Sequence, residues 1–372
     1  MTQDRLASFG ARLSIDLGAL CDNWRSLKAR LRSGECAAVV KADAYGLGAA
    51  QVAPALYRAG CRQFFVAHLN EGIALRPLIP DDAELHVLHG AHPGAEGEFV
   101  RHGLRPVLNS LPQVHAWQAL AAKLGRRLPA ILQVDTGMAR LGLAPEAFSQ
   151  LAATSGGLAG IDLKYLMSHL VSAEDPQSPV NRRQLTGFRA ALAQLPGVSA
   201  SLANSSGVFL GGDYHFDLAR PGAALYGVAP VAGQANPMRQ VIRLQGKVLQ
   251  TRSIAAGTSV GYAHSWTASR ASRIATVAVG YADGYLRSLS NRGVAHCDGI
   301  ALPLIGNISM DTLMVDITDL PEGRIDEGDF LDLADPLNGV DAIAAQAGTI
   351  GYEILTSLGR RYARDYQGAA AG

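Results

Sequence analysis

The sequence predicts an α/β protein, an N-terminal (β/α)8 barrel of the TIM type followed by a C-terminal, mostly β domain. Three observations carry that expectation. At 372 residues the chain exceeds what one hydrophobic core usually sustains, so two domains are expected. From about residue 14 to 235, short apolar runs alternate with helix-like stretches, as right-handed βαβ units around a parallel sheet require. After about residue 237 the texture changes to short strands separated by Gly, Pro, Asn and Asp, with few helices.

A first helix is expected within 16–32. Leu17, Leu20, Trp24, Leu27 and Leu31 lie three and four residues apart, on one helical face, and Asp16 precedes them as an N-cap. Strands are then expected at "CAAVVK" (36–41), "QFFVAH" (63–68), "LHVLHG" (85–90) and "RPVLN" (105–109). Four more follow at "AILQVD" (130–135), "LKYLMSHL" (163–170), "VSASLAN" (198–204) and "YHFDLAR" (214–220). Eight such units in roughly 220 residues suit a closed barrel better than an open doubly wound sheet. In the second domain, "QVIRLQGKVLQTRSI" (240–254) alternates apolar and polar residues as a half-exposed strand does. "RIATVAVGYADGY", "GIALPLIGNISM", "TLMVDIT" and "DFLDLAD" continue it. The expected division is 11–236 for the barrel and 237–372, together with residues 1–10, for the β-rich domain.

Hydrophobic residues make up 48% and charged residues 17%, which suits a compact soluble protein with a large interior. The net charge of +1, without a basic stripe, argues against nucleic acid or an anionic membrane as the main partner. No apolar run reaches the roughly 18–20 residues that span a bilayer. "MTQDRLASFGARLSID" is no secretory leader, so a cytoplasmic location is expected. Cys21, Cys36, Cys61 and Cys297 show no C-x-x-C spacing and read as reduced, mostly buried thiols.

In such a barrel, chemistry belongs at the carboxyl ends of the strands. Lys41 ends the first strand, Arg140 lies past the fifth, and His169 falls near the end of the sixth. Asn204 and Ser205 end the seventh and Arg220 the eighth. Arginines of this kind fork onto carboxylate or phosphate oxygens, and the amine suits a Schiff base with a carbonyl compound. The plainer alternative for Lys41 is a surface residue, and "ANSSG" and "RPG" also pass as ordinary turns. "DTG" (135–137) is the aspartic-protease triplet, but such enzymes need two copies in an all-β setting and the chain has one in a βα pattern. His86, His89 and His92 hint at a metal; a spacing of three on a strand puts His86 and His89 on opposite faces. No metal site is expected.

"AVVKADAYGLGA" (38–49) closely resembles the cofactor-lysine motif of alanine racemases. "DTGMARLG" (135–142), "MSHL" (167–170), "ANSSG" (203–207) and "ARPGAALYG" (219–227) follow in that family's order. So do "SVGYAHSW" (259–266), "VGYADGY" (279–285), "GNISMD" (306–311) and "GTIGYEI" (348–354). The resemblance spans nearly the whole chain. It implies a barrel followed by a β-rich domain, pyridoxal 5'-phosphate as cofactor, and a homodimer in which each second domain completes the other subunit's site. It implies interconversion of L- and D-alanine by two bases, with D-alanine supplied to peptidoglycan or degraded.

Carried over by similarity, Lys41 attaches the cofactor and is one base, and Tyr262, donated by the partner subunit, is the opposite one. Tyr45, Ser205, Gly222, Ala223 and Tyr352 would hold the phosphate, and Arg220 would face the pyridine nitrogen. Asn204 and His169 would lie beside and behind the cofactor. Arg140 and Met310 would meet the substrate carboxylate, while Tyr281 and Asp311 would line the entrance. Many members carry a carbamylated lysine two residues before "DTG", bridging to the substrate arginine; here that position is Gln133. Either its side-chain oxygen orients Arg140 or a bound anion such as chloride fills the gap. A racemase of serine, lysine or another amino acid is the alternative on the same scaffold. A non-catalytic cofactor-holding barrel is the rival from another class, against which the whole second domain weighs.

Overall fold

The computed structural model describes residues 8–368; residues 1–7 of the N-terminal stretch and 369–372 of the small-residue tail lie outside the described residues. The chain divides into two compact units. One comprises residues 21–44 and 48–238, the other residues 8–20, Tyr45–Leu47 and residues 239–368.

The first unit is the expected barrel. Its parallel strands follow one another in chain order: Ala38–Val39, Gln63–Val66, Glu84–Val87, Arg105–Leu108, Leu128–Gln133, Ile161–Met167 and Ser199–Ser201. The last strand, Leu218–Ala219, pairs in parallel with Glu35–Cys36 at the start of the first run. On its other side the Asp217 amide donates to the Ala200 carbonyl at 3.0 Å and the Arg220 amide to that of Ala203 at 2.8 Å, so the ring closes. Each of the eight apolar runs therefore contributes a strand. The eighth is only two residues long, because the 3-10 turn Gly212–Tyr214 takes up the first residue of the predicted run and Phe216 within it stands at φ 50°.

The strands are apolar on both faces because helices cover them outside and side chains fill the barrel inside. Gln63–Val66 is buried at all four positions. Outside run helices such as Leu111–Leu124, opened by Ser110, whose side chain accepts from the Gln113 amide, and ended by Gly125 at φ 63°. Helix Leu17–Arg30 buries Leu17, Leu20, Trp24 and Leu27, and Asp16 Oδ1 accepts from the Ala19 amide at 2.8 Å, as its sequence pattern requires. All four cysteines are buried, and none is joined in a disulfide.

The second unit is built on one 13-residue strand, Ile242–Ile254. Its first half pairs antiparallel with Ala11–Asp16 and Phe330–Ala334, and its second half with Ser272–Val277. A register irregularity between Val248 and Gln250 lets one strand serve both sides. Strands Val294–Cys297, Ile300–Ile305 and Leu313–Asp316 complete the sheet, and Ala363–Gln367 pairs in parallel with Ala11–Asp16 at its edge. Residues 11–20 thus depart from the expected division, which assigned them to the barrel. Ala11, Leu13 and Ile15 are buried while Arg12, Ser14 and Asp16 are half-exposed, a strand of period two that finds its ladder in this sheet.

Candidate active site

Lys41 leaves the first barrel strand and enters a backbone turn that is unusual for L-residues. Ala42, Asp43, Ala44 and Tyr45 all have φ between 53° and 55°. Left-handed conformation costs roughly 1–2 kcal/mol for each such residue, so the surroundings must over-determine it. Two carboxylates do. Glu71 Oε1 accepts from the Ala42 amide at 2.6 Å, and Asp43 Oδ1 accepts from the Ala49 amide at 2.7 Å. The Ala44 amide also donates to the Val40 carbonyl at 2.9 Å. The Lys41 amine is pushed below its usual range by burial and then by Arg140, with Glu71 opposing. The lysine is therefore not the freely solvated surface residue of the plainer reading.

The loop carrying Arg140 is folded around Asp135. Its Oδ1 accepts from the Gly137 and Met138 amides, each at 2.8 Å, and its Oδ2 from the Ala139 amide at 2.9 Å. Gly142, at φ 110°, is required where the loop returns, since a Cβ there would meet the Asp135 nitrogen at 2.8 Å. Gln133 is tied to this same loop. Its Nε2 donates to the Leu141 carbonyl at 3.0 Å, so it grips the backbone beside Arg140, and among the described residues no hydrogen bond joins it to the guanidinium. Gln133→Ala is expected to raise KM roughly 3- to 10-fold, the worth of one hydrogen bond, with a smaller change in kcat. Steady-state kinetics over a substrate series would check this, and an unchanged KM would separate the loop from substrate binding.

Arg220 is almost fully buried at 4% exposure. Its Nη1 donates to Ser201 Oγ and its Nη2 to the Ser168 carbonyl at 2.7 Å. No carboxylate pairs with it among the described residues. Burial lowers the guanidinium to about 9, still cationic at neutral pH. His169 is pushed down to about 3 by desolvation and then by Arg220, Arg140 and Lys41, so its ring is neutral. Ser205 Oγ accepts from the Gly222 amide at 2.9 Å and the Ala224 amide at 3.2 Å, leaving its own proton to donate. Asn204 Oδ1 accepts from the Gly207 amide at 2.8 Å. Lys41, Arg140, His169 and Arg220 thus lie within electrostatic reach of one another, and Ser205, Gly222 and Ala223 form a second group on the same barrel.

Sequence reasoning missed three anchors here. Buried Gln184, on helix Pro179–Leu192, donates to Thr136 Oγ1 at 3.3 Å and to the His169 carbonyl at 2.9 Å, and accepts from the Val171 amide at 3.0 Å. Glu71 and Ser201 are the others. None has a motif; each acts on a segment far away in sequence. His86 is buried, stacked on Phe65 with centroids 4.5 Å apart and bonded to Gln63, whereas His89 meets His68. No group of three metal-ligating side chains exists among the described residues.

In the second unit, Tyr262 is 73% exposed on a 3-10 turn, and Asn307 Nδ2 donates to its carbonyl at 2.9 Å. Tyr281 and Met310 sit on adjoining segments. The Tyr281 amide donates to the Ser309 carbonyl and the Ala282 amide to the Met310 carbonyl, each at 3.0 Å. Arg361 fastens these segments, donating from Nε and Nη2 to both oxygens of buried Asp283 and from Nη1 to Asp311 Oδ1 at 2.8 Å. Neither Arg361 nor Asp283 is among the predicted site residues, and the Asp283 turn looks ordinary in sequence. Gly280 is needed because a Cβ would meet the Met310 carbonyl oxygen at 2.3 Å. Gly280→Ala is expected to destabilise this unit by about 1–3 kcal/mol, seen as a lowered Tm. Tyr45 is buried and its ring centroid lies 6.2 Å from that of Tyr352; Arg364 and Tyr366 bind the carbonyls of Gly46 and Leu47.

Comparison with known proteins agrees with a lysine-bearing (β/α)8 barrel joined to a β domain. Residues 15–230 match the family model described as "Alanine racemase, N-terminal domain", and 241–366 match "Alanine racemase, C-terminal domain". The chain is 52% identical over 362 residues to the catabolic alanine racemase of Mesorhizobium japonicum, covering 97% of this chain and 94% of that protein. It is 51% identical to the alanine racemase of Rhodospirillum rubrum, covering 97% of each. The crystal structure of Bartonella henselae alanine racemase with covalently bound pyridoxal phosphate superposes with a TM-score of 0.92 at 44% identity, covering 96% of this chain and 99% of that one. The chain belongs to the alanine racemase family.

Proposed function

We propose that the protein is a pyridoxal-phosphate-dependent alanine racemase, working as a cytoplasmic homodimer with shared active sites. The observation that carries the reading is Lys41, an amine made less basic by burial and by Arg140 at the carboxyl end of a barrel strand. The donor groups suit the cofactor. Buried Ala223 has an amide with no acceptor among the described residues, and the Ser205 hydroxyl has a proton to give; both suit phosphate oxygens. Tyr45, Tyr352 and Gly222 are assigned to the same phosphate. Arg220, a buried cation without a carboxylate, suits a ring nitrogen that must stay unprotonated, and Asn204 and neutral His169 complete that wall. When bound, the cofactor would take up the negative charge left at the substrate's Cα as its proton departs.

The side chains would then supply geometry and proton transfer. Arg140 and the partner subunit's Met310 amide receive the substrate carboxylate, which fixes the two faces of Cα. Lys41 Nζ takes or gives the proton on one face and the partner subunit's Tyr262 Oη on the other. A tyrosine with its usual pKa near 10 acts as a base near neutrality only beside positive charge, which Arg140 and Arg220 supply. The exposure of Tyr262, Met310 and Tyr281 in one chain supports their being covered in a dimer. Tyr281 and Asp311 would narrow the entrance. No described helix is long and apolar enough to cross a membrane. A panel of amino acids followed by chiral chromatography tests the assignment: alanine should racemise faster than serine or lysine, and a faster serine or lysine would overturn the substrate.

A further inference from the structure

Glu71 splits its carboxylate between two tasks. Oε2 accepts from the amides of Ala67 and His68 at 2.7 and 2.9 Å, holding the start of helix Leu69–Leu75. Oε1 accepts from the amide of Ala42, 29 residues earlier, at 2.6 Å. Helix capping explains the first pair and not the last. Ala42 directly follows Lys41 and opens the left-handed run, where the backbone is least able to hold itself. A short, charge-assisted bond to that amide is the strongest kind available to a neutral backbone group.

We infer that Glu71 is a positioning residue for Lys41, aiming its side chain by locking the Ala42 amide into the left-handed turn. The inference rests on Lys41 being the cofactor lysine. It predicts that Glu71 matters through geometry rather than through its charge, and the two have opposite signs. Lys41 is faced by Arg140 and Glu71, with His89 and His169 nearby. Of these only Glu71 keeps the amine protonated, so removing its charge alone would free more amine and speed attachment. Loss of position would slow attachment at every pH.

Glu71→Gln is the decisive variant, because one amide oxygen cannot serve both the helix start and Ala42. Cofactor-free full-length protein is mixed with pyridoxal phosphate, trapped with borohydride at intervals, and the Lys41 peptide is quantified by mass spectrometry. On the high-pH plateau, where the amine is wholly deprotonated, the variant should attach the cofactor about tenfold or more slowly, the equivalent of one lost charge-assisted hydrogen bond. Its kcat should fall similarly while KM stays within about twofold, and the Ala42 amide should lose hydrogen-exchange protection. Glu71→Ala should be at least as slow. Attachment as fast as wild type in folded Glu71→Gln, or a slowing that vanishes once the unfolded fraction is subtracted, would reduce Glu71 to a helix cap and overturn the inference. A wild-type chain that yields no Lys41 adduct would instead overturn the assignment of Lys41 itself.

Discussion

Lys41→Ala is expected to lower racemisation by at least about 10³-fold, since it removes both the attachment point and a base worth 10²–10⁴ by itself. The fold should survive. The Lys41 ammonium makes no hydrogen bond or ion pair among the described residues, and the turn that follows is held by Glu71, Asp43 and Val40. The Tm should therefore move little, and near-ultraviolet circular dichroism should be retained. A small added amine should restore part of the rate by acting in place of the missing Nζ. Racemisation within about tenfold of wild type in this variant would take Lys41 out of proton transfer.

Tyr262→Phe is the second large effect, and its form is more informative than its size. The side chain is 73% exposed in the single chain and its hydroxyl has no partner among the described residues, so no fold contact is lost. Racemisation should fall by about 10²–10⁴ in both directions, because each needs both bases. One enantiomer, however, should still exchange its α-proton with solvent through Lys41, while the other should not. Exchange surviving equally for both would mean that a single base serves both faces. Racemisation near the wild-type rate would remove Tyr262 from the reaction.

What could be read in advance depends on whether a residue acts where it stands or somewhere else. Lys41 was legible because an apolar strand delivers it, and strand ends locate chemistry in a closed barrel. Arg220 and Ser205 were legible on the same ground. Glu71 was not: its partner is 29 residues away, and in sequence it is an ordinary first-turn acid of a short helix. Gln184, Asp283 and Arg361 were hidden in the same way, since each binds segments that only the fold brings near. Gln133 shows the limit of substitution reasoning. Its type suggested a contact with the Arg140 side chain, yet its amide holds the Leu141 backbone. The strand Ala11–Asp16 had the right period, but nothing local names Ile242–Ile254 and Ala363–Gln367 as its neighbours.

The central claim is that one site removes the α-proton of alanine from one face and returns a proton to the other. Its most direct test is to incubate the cofactor-loaded protein with pure L-alanine, and separately with pure D-alanine, in deuterium oxide, following enantiomer ratio and Cα deuterium together. The account predicts that both samples converge on equal amounts of the two enantiomers, and that newly formed enantiomer carries deuterium at Cα. Alanine that keeps its handedness while the cofactor is attached to Lys41, or that inverts without gaining deuterium, would contradict it.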